Sequence, residues 1–371
     1  MIYSNDKIDD NSILVFEYFT ASGDRTPCII SEAESLIMSL IDDLRDFDIY
    51  LAINKSYKYL VENNTNVTPI YLDESIEKWL KENANLFKRS IFIAAENDMN
   101  LYNITKILED NEVKIYNSSS EACFICSEKF DTYEKLFNIV PQPKSFKIKI
   151  DHKGYWKRAV ENLYKSWQSE DPLTPLKIII KPISGVDCEN IKIIKNIDDL
   201  SYDLEKLFPI GSRVIIQEFI EGKDISISLI SDGTKAIPLS LNEQIVVLND
   251  DCGKYLGGKA PIDSKLKKKA FNIAIKAVES LKGIKGFVGV DLITNSDITD
   301  LNELYLLEVN SRFTTPYVGL QKISNFNIAK SIIDLLDNKI SIDDLENKIS
   351  FNGVSYFKKE GNSLKIEIKN G

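Results

Sequence analysis

The stretch "YLLEVNSRFTTPY", Tyr305 to Tyr317, sets an acid, an amide and a guanidinium at every second position behind an apolar run. In a strand, residues i, i+2 and i+4 share one face, so Glu308, Asn310 and Arg312 point the same way while Val309 and Ser311 face the other. Leu306 and Leu307 mark the approach as buried. A carboxylate beside an amide oxygen at the edge of a core suits a hard cation. Upstream, "GFVGVDLI" carries Asp291 in an apolar run, and the polar "TNSDITDLNE" joins it to the opening stretch. A β-hairpin is the economical reading. It brings the Asp291 carboxylate to Glu308 and Asn310, a donor set that fits Mg²⁺. A surface hairpin with incidental polar residues is the alternative, and the alternation inside apolar strands weighs against it.

Two segments further upstream add to this picture. In "LKIIIKPISGVDCEN", Lys181 ends an apolar strand before a turn containing Pro182 and Gly185. Such a lysine can hold an ammonium against a phosphate, and the turn can offer backbone N–H donors, although a strand-terminal lysine also serves as a solvated cap. In "RVIIQEFIEGKDISIS", Gln217 to Asp224 spans a strand, a turn at Gly222 and a second strand. That hinge can present backbone groups to the edge of an adenine with Asp224 towards a ribose. Alone, it also reads as a plain hairpin.

The chain has 371 residues, enough for two or three domains. Its net charge of −10, from 46 basic and 56 acidic residues, argues against nucleic acid as a partner. Five cysteines (Cys28, Cys123, Cys126, Cys188, Cys252) suggest no disulfide framework. The pair Cys123 and Cys126 lies in an apolar run and reads as buried, with a metal or redox role as the alternative. The polar amino terminus does not fit a secretory signal, and no apolar run is long enough for a membrane span. A soluble protein of the reducing cytoplasm is expected. The single histidine, His152, leaves acid–base work to carboxylates, lysines and tyrosines.

Strands alternate with helices over residues 12–140: "SILVFEYF", "DIYLAIN", "SIFIAAEN" and "VKIYN" are strands, separated by helical patterns such as "DESIEKWLKENAN" and "MNLYNITKILEDN". The helical pattern "SEACFICSEKFDTYEKLF" follows the last strand. This predicts a doubly wound parallel sheet in an N-terminal α/β domain, residues 1–140, with its binding edge near 20–23 and 96–98. "PQPKSF" is a linker signal. Beyond it the pattern is mixed α+β, divided into units at 141–215 and 216–335. It includes helices at 151–167 and 198–208, a strand pair at 224–241 and a helix at 264–283. A tail over 336–371 ends in the hairpin "SYFKKEGNSLKIEIKN".

In this order, the lysine of "DHKGYWK", "IIIKP", "QEFIEGKDISIS", "GVDLI" and "LEVNSRFTTPY" resemble the ATP-grasp superfamily over about residues 145–330. The resemblance implies an ATP-grasp fold preceded by a pre-ATP-grasp domain. It implies that Lys157 and Lys181 hold ATP phosphates. Gln217, Glu218 and the backbone around Phe219 and Ile220 would read adenine, and Asp224 the ribose. Asp291, Glu308 and Asn310 would hold one or two Mg²⁺, or Mn²⁺. Arg312, with Lys181, would act on the transferred phosphoryl group. The turn after Lys181 has only Gly185 where the family is glycine-rich, and Asp224 is shorter than the usual Glu.

The implied reaction activates a carboxylate as an acyl phosphate, which an amine then displaces. "GVDCEN" and "NDDCGKYLGGKAP" are the expected mobile loops. "VFEYFTASG", "IFIAAENDMNLYNITKILE" and "SLNEQIVVLNDDCGKYLGGKAP" are similar to the archaeal tyramine–glutamate ligase group, whose activity belongs to methanofuran synthesis. On that resemblance the substrates are small molecules, glutamate and tyramine, and Gln244, Tyr255, Gly257 and Gly258 lie near the acceptor. A homodimer is allowed. Another acid or amine, a carboxylase-type subunit and a non-catalytic ATP-binding regulatory subunit are the alternatives.

Overall fold

A computed structural model describes residues 11–62, 64–170, 176–183, 191–194, 204, 206, 208–249, 252–295, 303–361 and 363–369. Three sheets follow one another along the chain. The first contains β1 (Ser12–Glu17), β2 (Asp48–Asn54), β3 (Val67–Leu72), β4 (Arg89–Ile93) and β5 (Lys114–Ile115), all parallel, in the order β3-β2-β1-β4-β5. Its central strands are apolar throughout because helices cover both faces. Ile13 and Val15 pack with Leu36, Ile37 and Leu40 of helix Pro27–Asp43. Leu14 and Phe16 pack with Ile76, Leu80, Leu101 and Ile104 of helices Ile76–Asn83 and Asn100–Asp110. The expected doubly wound sheet is what forms.

Two details depart from expectation. β1 stops at Glu17, whose carboxylate accepts the N–H groups of Phe19 (3.1 Å) and Thr20 (2.8 Å) and starts a short helix, Tyr18–Ser22. The helical pattern over 120–137 is two helices, Ser120–Ser127 and Lys129–Leu136, because Glu128 takes an extended conformation between them.

The second sheet holds β6 (Ser145–Lys149), β7 (Ile178–Pro182), β8 (Lys192–Ile194) and β9 (Arg213–Glu218), antiparallel in the order β6-β9-β7-β8. Ile178 and Ile180 bury one face against Trp156 and Val160 of helix Tyr155–Glu170. Ile179 and Lys181 therefore face the other way. The helix expected at 198–208 lies mostly outside the described residues.

The third sheet is β10 (Lys223–Asp232), β11 (Ala236–Asn249), β12 (Cys252–Ala260), β13 (Lys285–Thr294), β14 (Leu304–Asn310), β15 (Val354–Glu360) and β16 (Ser363–Lys369), in the order β14-β13-β10-β11-β12-β15-β16. One face is apolar: Ile225, Ile227, Val288, Val290 and Leu292 pack on Ala270, Ile273 and Ala274 of helix Lys267–Ser280. Asp224, Ser226, Gln244 and Asp291 fall on the other. Much of "NDDCGKYLGGKAP", expected as a mobile loop, is instead β12, paired on both sides with β11 and β15; residues 250–251 lie outside the described ones. Through that pairing the C-terminal hairpin extends the sheet.

The first domain docks onto the end of β14. The Asp43 carboxylate on helix Pro27–Asp43 accepts the Tyr317 hydroxyl (3.0 Å) and the Ala329 N–H (2.9 Å).

Candidate active site

The ladder between β13 and β14 pairs Gly289 with Asn310 and Asp291 with Glu308, then shifts so that Leu292 pairs with Leu306. Leu307 is the extra residue of a β-bulge. Plain alternation would put Leu306 and Glu308 on one face. The bulge separates them: Leu306 joins the apolar core with Val309, while Leu307, Glu308 and Asn310 line a cleft between the second and third sheets. The expected hairpin therefore forms, with a register that alternation alone did not contain.

Across that ladder the carboxylates of Asp291 and Glu308 compete for charge. Asn310 Nδ2 donates to one Asp291 oxygen at 2.9 Å and Gln244 Nε2 to the other at 3.0 Å. Even so, burial, with the Glu308 charge added, pushes the Asp291 carboxyl up to about 7. Burial also pushes Glu308 up, but the ammonium groups of Lys129 and Lys181 and the Arg312 guanidinium outweigh it and hold this carboxyl below its usual range. Lys129 Nζ lies 2.8 Å from Glu308 Oε2.

These residues fit a divalent cation. Two carboxylates and an amide oxygen are hard oxygen donors, and Asp291 and Glu308 face each other across the ladder where one cation can meet both. Among the described residues no cluster of three or more His, Cys, Asp or Glu side chains is placed to hold a metal ion, and this site has two carboxylates and an amide.

Opposite the acidic pair, Lys181 is buried and donates to Gln217 Oε1 at 2.9 Å, while Gln217 Nε2 donates to Ser145 Oγ at 2.7 Å. This chain of bonds fixes the ammonium at the cleft wall. Glu218, Phe219 and Ile220 line the cleft at the hinge between β9 and β10, where the N–H groups of Glu218 and Phe219 bond the carbonyls of Lys144 (2.8 Å) and Lys177 (3.0 Å). Asp224 lines it beside the hinge, and burial pushes its carboxyl up to about 6.

Arg312 lies beyond the end of β14. Its Nε is 2.6 Å from Glu96 Oε2, at the carboxyl end of β4 in the first domain, where the parallel sheet was expected to present its binding edge. The carboxylates of Glu96, Glu308 and Glu32 hold the guanidinium firmly charged against burial.

Gln244 and Tyr255 line the cleft as expected, but three expected site residues do not. Lys157 sits on the helix that covers the opposite face of the second sheet. It lines a separate depression with His152, Lys153 and Phe208 and lies over the Trp156 ring, 5.5 Å from its centroid. Gly257 and Gly258 are packing residues: a Cβ on Gly257, whose φ is +138°, would stand 2.1 Å from the Phe357 carbonyl, and one on Gly258 2.2 Å from that of Glu243. The expected loop "GVDCEN" lies outside the described residues.

Two charged cleft residues escaped the sequence reading, Lys129 and Glu32. The break at Glu128, visible only as a polar pair inside a helical pattern, is the signal that would have exposed Lys129 as the start of a new helix. Cys123 and Cys126 are buried, and desolvation pushes the Cys123 thiol up to about 12. They are packing residues beneath the site.

Residues 126–316 match the ATP-grasp domain family. The chain is similar to the tyramine–L-glutamate ligase of Methanocaldococcus jannaschii, 31% identical over 88% of this chain and 90% of that protein. It is similar to the enzyme of the same name from Methanocaldococcus fervens, 32% identical over 83% of this chain and 89% of the relative. In fold it resembles the crystal structure of an ATP-grasp superfamily protein from Archaeoglobus fulgidus, with a TM-score of 0.68, 24% identity, and coverage of 97% of this chain and 99% of the other.

Proposed function

This chain belongs to the ATP-grasp family, and we propose that within it the protein joins the γ-carboxylate of L-glutamate to the amine of tyramine, forming ADP and phosphate. ATP-grasp ligases work with ATP and a divalent metal ion; we take the ion to be Mg²⁺. The observation that carries the substrate assignment is the extent of the likeness. The tyramine–L-glutamate ligases match over 88% and 83% of this chain, so the likeness reaches well beyond the ATP-grasp match at 126–316 and takes in much of the first domain.

The cleft residues suit each part of that reaction. The adenine lies at the hinge of Glu218, Phe219 and Ile220, with Asp224 towards the ribose. Lys181 and Lys129 meet the phosphates. Asp291, Glu308 and Asn310 would hold the metal ion, which when bound supplies positive charge beside the phosphates. With anionic repulsion lowered, a γ-carboxylate oxygen of glutamate bonds to the terminal phosphorus and the bond to the bridging oxygen breaks, releasing ADP. Arg312 faces the transferred group and stabilises its charge. The neutral amine of tyramine then attacks the acyl carbon, the bond to phosphate breaks, and the amine gives up a proton. Tyr255 and Gln244 stand on the third-sheet wall of the cleft, where we place the acceptor.

Mass spectrometry of products from the purified protein, ATP, Mg²⁺ and pooled amino acids and amines tests the reading. It predicts γ-glutamyltyramine as the coupled product. Another coupled product would replace the substrates. ATP binding without any coupled product would favour a regulatory subunit.

A further inference from the structure

Glu32 stands where the proposed chemistry has least use for a negative charge. It reaches the cleft from helix Pro27–Asp43, and its charge acts on Arg312. ATP and the carboxylate to be activated are both anions, so a fixed carboxylate beside them is unfavourable unless cations balance it; Lys359 lies on one Glu32 oxygen, Oε2, while Oε1 accepts a neutral hydroxyl. Yet two other parts of the fold converge to hold this one. The Thr315 hydroxyl, just after β14, donates to Oε1; Lys359 Nζ, on β15, lies 2.9 Å from Oε2. Lys359 is itself set over the ring of Tyr255, 5.4 Å from its centroid. Side-chain exposures of 21% for Glu32 and 16% for Lys359 make this a mostly enclosed pair at the wall of a site.

The attacking amine must be neutral to react, so a permanent ammonium partner has to be another group. The α-ammonium of an amino-acid substrate keeps its charge throughout. We infer that Glu32 binds the α-ammonium of the amino acid whose side-chain carboxylate is activated, with Lys359 and Thr315 as positioning residues. This rests on the ligase reading above. An amino acid held in this way extends its side-chain carboxylate towards Arg312. The site thereby selects amino acids over simple dicarboxylic acids.

The test compares glutamate with glutarate, the same carbon chain without the ammonium, in the wild type and in Glu32→Gln. The variant keeps the shape and can still bond Thr315. Loss of a charge-assisted contact predicts that kcat/KM for glutamate falls about 10- to 100-fold while that for glutarate and the KM for ATP stay nearly constant. Equal losses for the two acids, or no loss for either, would make the pair a clasp between domains and overturn the assignment. Should Glu32→Gln fail to fold, Lys359→Met serves instead. It leaves the Glu32 charge but removes the group that aims it, so glutamate KM rises and glutarate KM does not; equal changes overturn the idea. A folded wild type that turns over no amino acid overturns the ligase reading and this inference together. An active wild type with an unselective variant overturns the inference alone.

Discussion

The guanidinium of Arg312, from the loop after β14, is ion-paired at 2.6 Å with Glu96, from the end of β4 in the other domain. Both side chains are largely enclosed, and Glu96 Oε1 is buried without a hydrogen-bond partner among the described residues. A buried pair that loses one member leaves an uncompensated charge. Glu96→Ala is therefore expected to destabilise the fold by about 3 kcal/mol and to lower kcat through a misplaced Arg312. Arg312→Lys keeps a charge but loses the planar fork. It is expected to fold normally with kcat reduced about 100-fold. Chemical denaturation and steady-state rates of the two variants separate these effects.

Lys129 and Lys157 make opposite predictions. Lys129 lines the cleft against Glu308, where we place the phosphates, whereas Lys157 belongs to the far face of the second sheet. Lys129→Met is expected to raise the KM for ATP by about 10-fold or more, as for the loss of one charge-assisted contact. Lys157→Met leaves it nearly unchanged. Nucleotide titration of both proteins decides, and the reverse pattern would return Lys157 to the nucleotide site.

Gly257 tests whether the glycines of β12 serve packing. With φ at +138° and the Phe357 carbonyl 2.1 Å from where a Cβ would stand, Gly257→Ala must push β12 and β15 apart. The expected result is a loss of several kcal/mol of stability with unchanged substrate preference in whatever fraction remains folded. Thermal unfolding together with product analysis measures both.

Glu17 predicts a pH dependence of stability. Burial raises its carboxyl from 4.5 to about 7, against the N–H groups of Thr20 and Phe19, which favour the charged form. Because the folded value is the higher, the native state holds a proton that the unfolded chain has already released. Its contribution is fully present below about 4.5 and is lost as pH rises through about 7. The wild type should lose a few kcal/mol relative to Glu17→Gln between pH 4.5 and 8. Urea unfolding of both proteins at several pH values checks this, and parallel curves would count against it.

Much of this fold was legible because its signals are local and periodic. β2 occupies the predicted run "DIYLAIN", and β13 and β14 pair as their apolar alternation implied. Asp291, Glu308 and Asn310 came together for the same reason. What was missed depends on contacts distant in sequence. β3 contains Pro69, which argues against a strand until the run is seen at the sheet edge, where proline is tolerated. β12 looked like a loop because Gly257 and Gly258 are there to admit neighbouring carbonyls that no local pattern reveals. Lys129 lay hidden in a helical pattern that breaks at Glu128, and Glu32 looked like any polar position on an amphipathic helix. The bulge at Leu307 is a property of two strands together.

In the proposed reaction this cleft activates a carboxylate with ATP before an amine attacks. The most direct measurement supplies glutamate carrying heavy oxygen in its γ-carboxylate, together with ATP, Mg²⁺ and tyramine, and follows the label by mass spectrometry. An acyl phosphate predicts ADP as the nucleotide product, with one labelled oxygen carried into the released phosphate for each amide formed. Labelled AMP, or amide formation with unlabelled phosphate, would rule out an acyl phosphate.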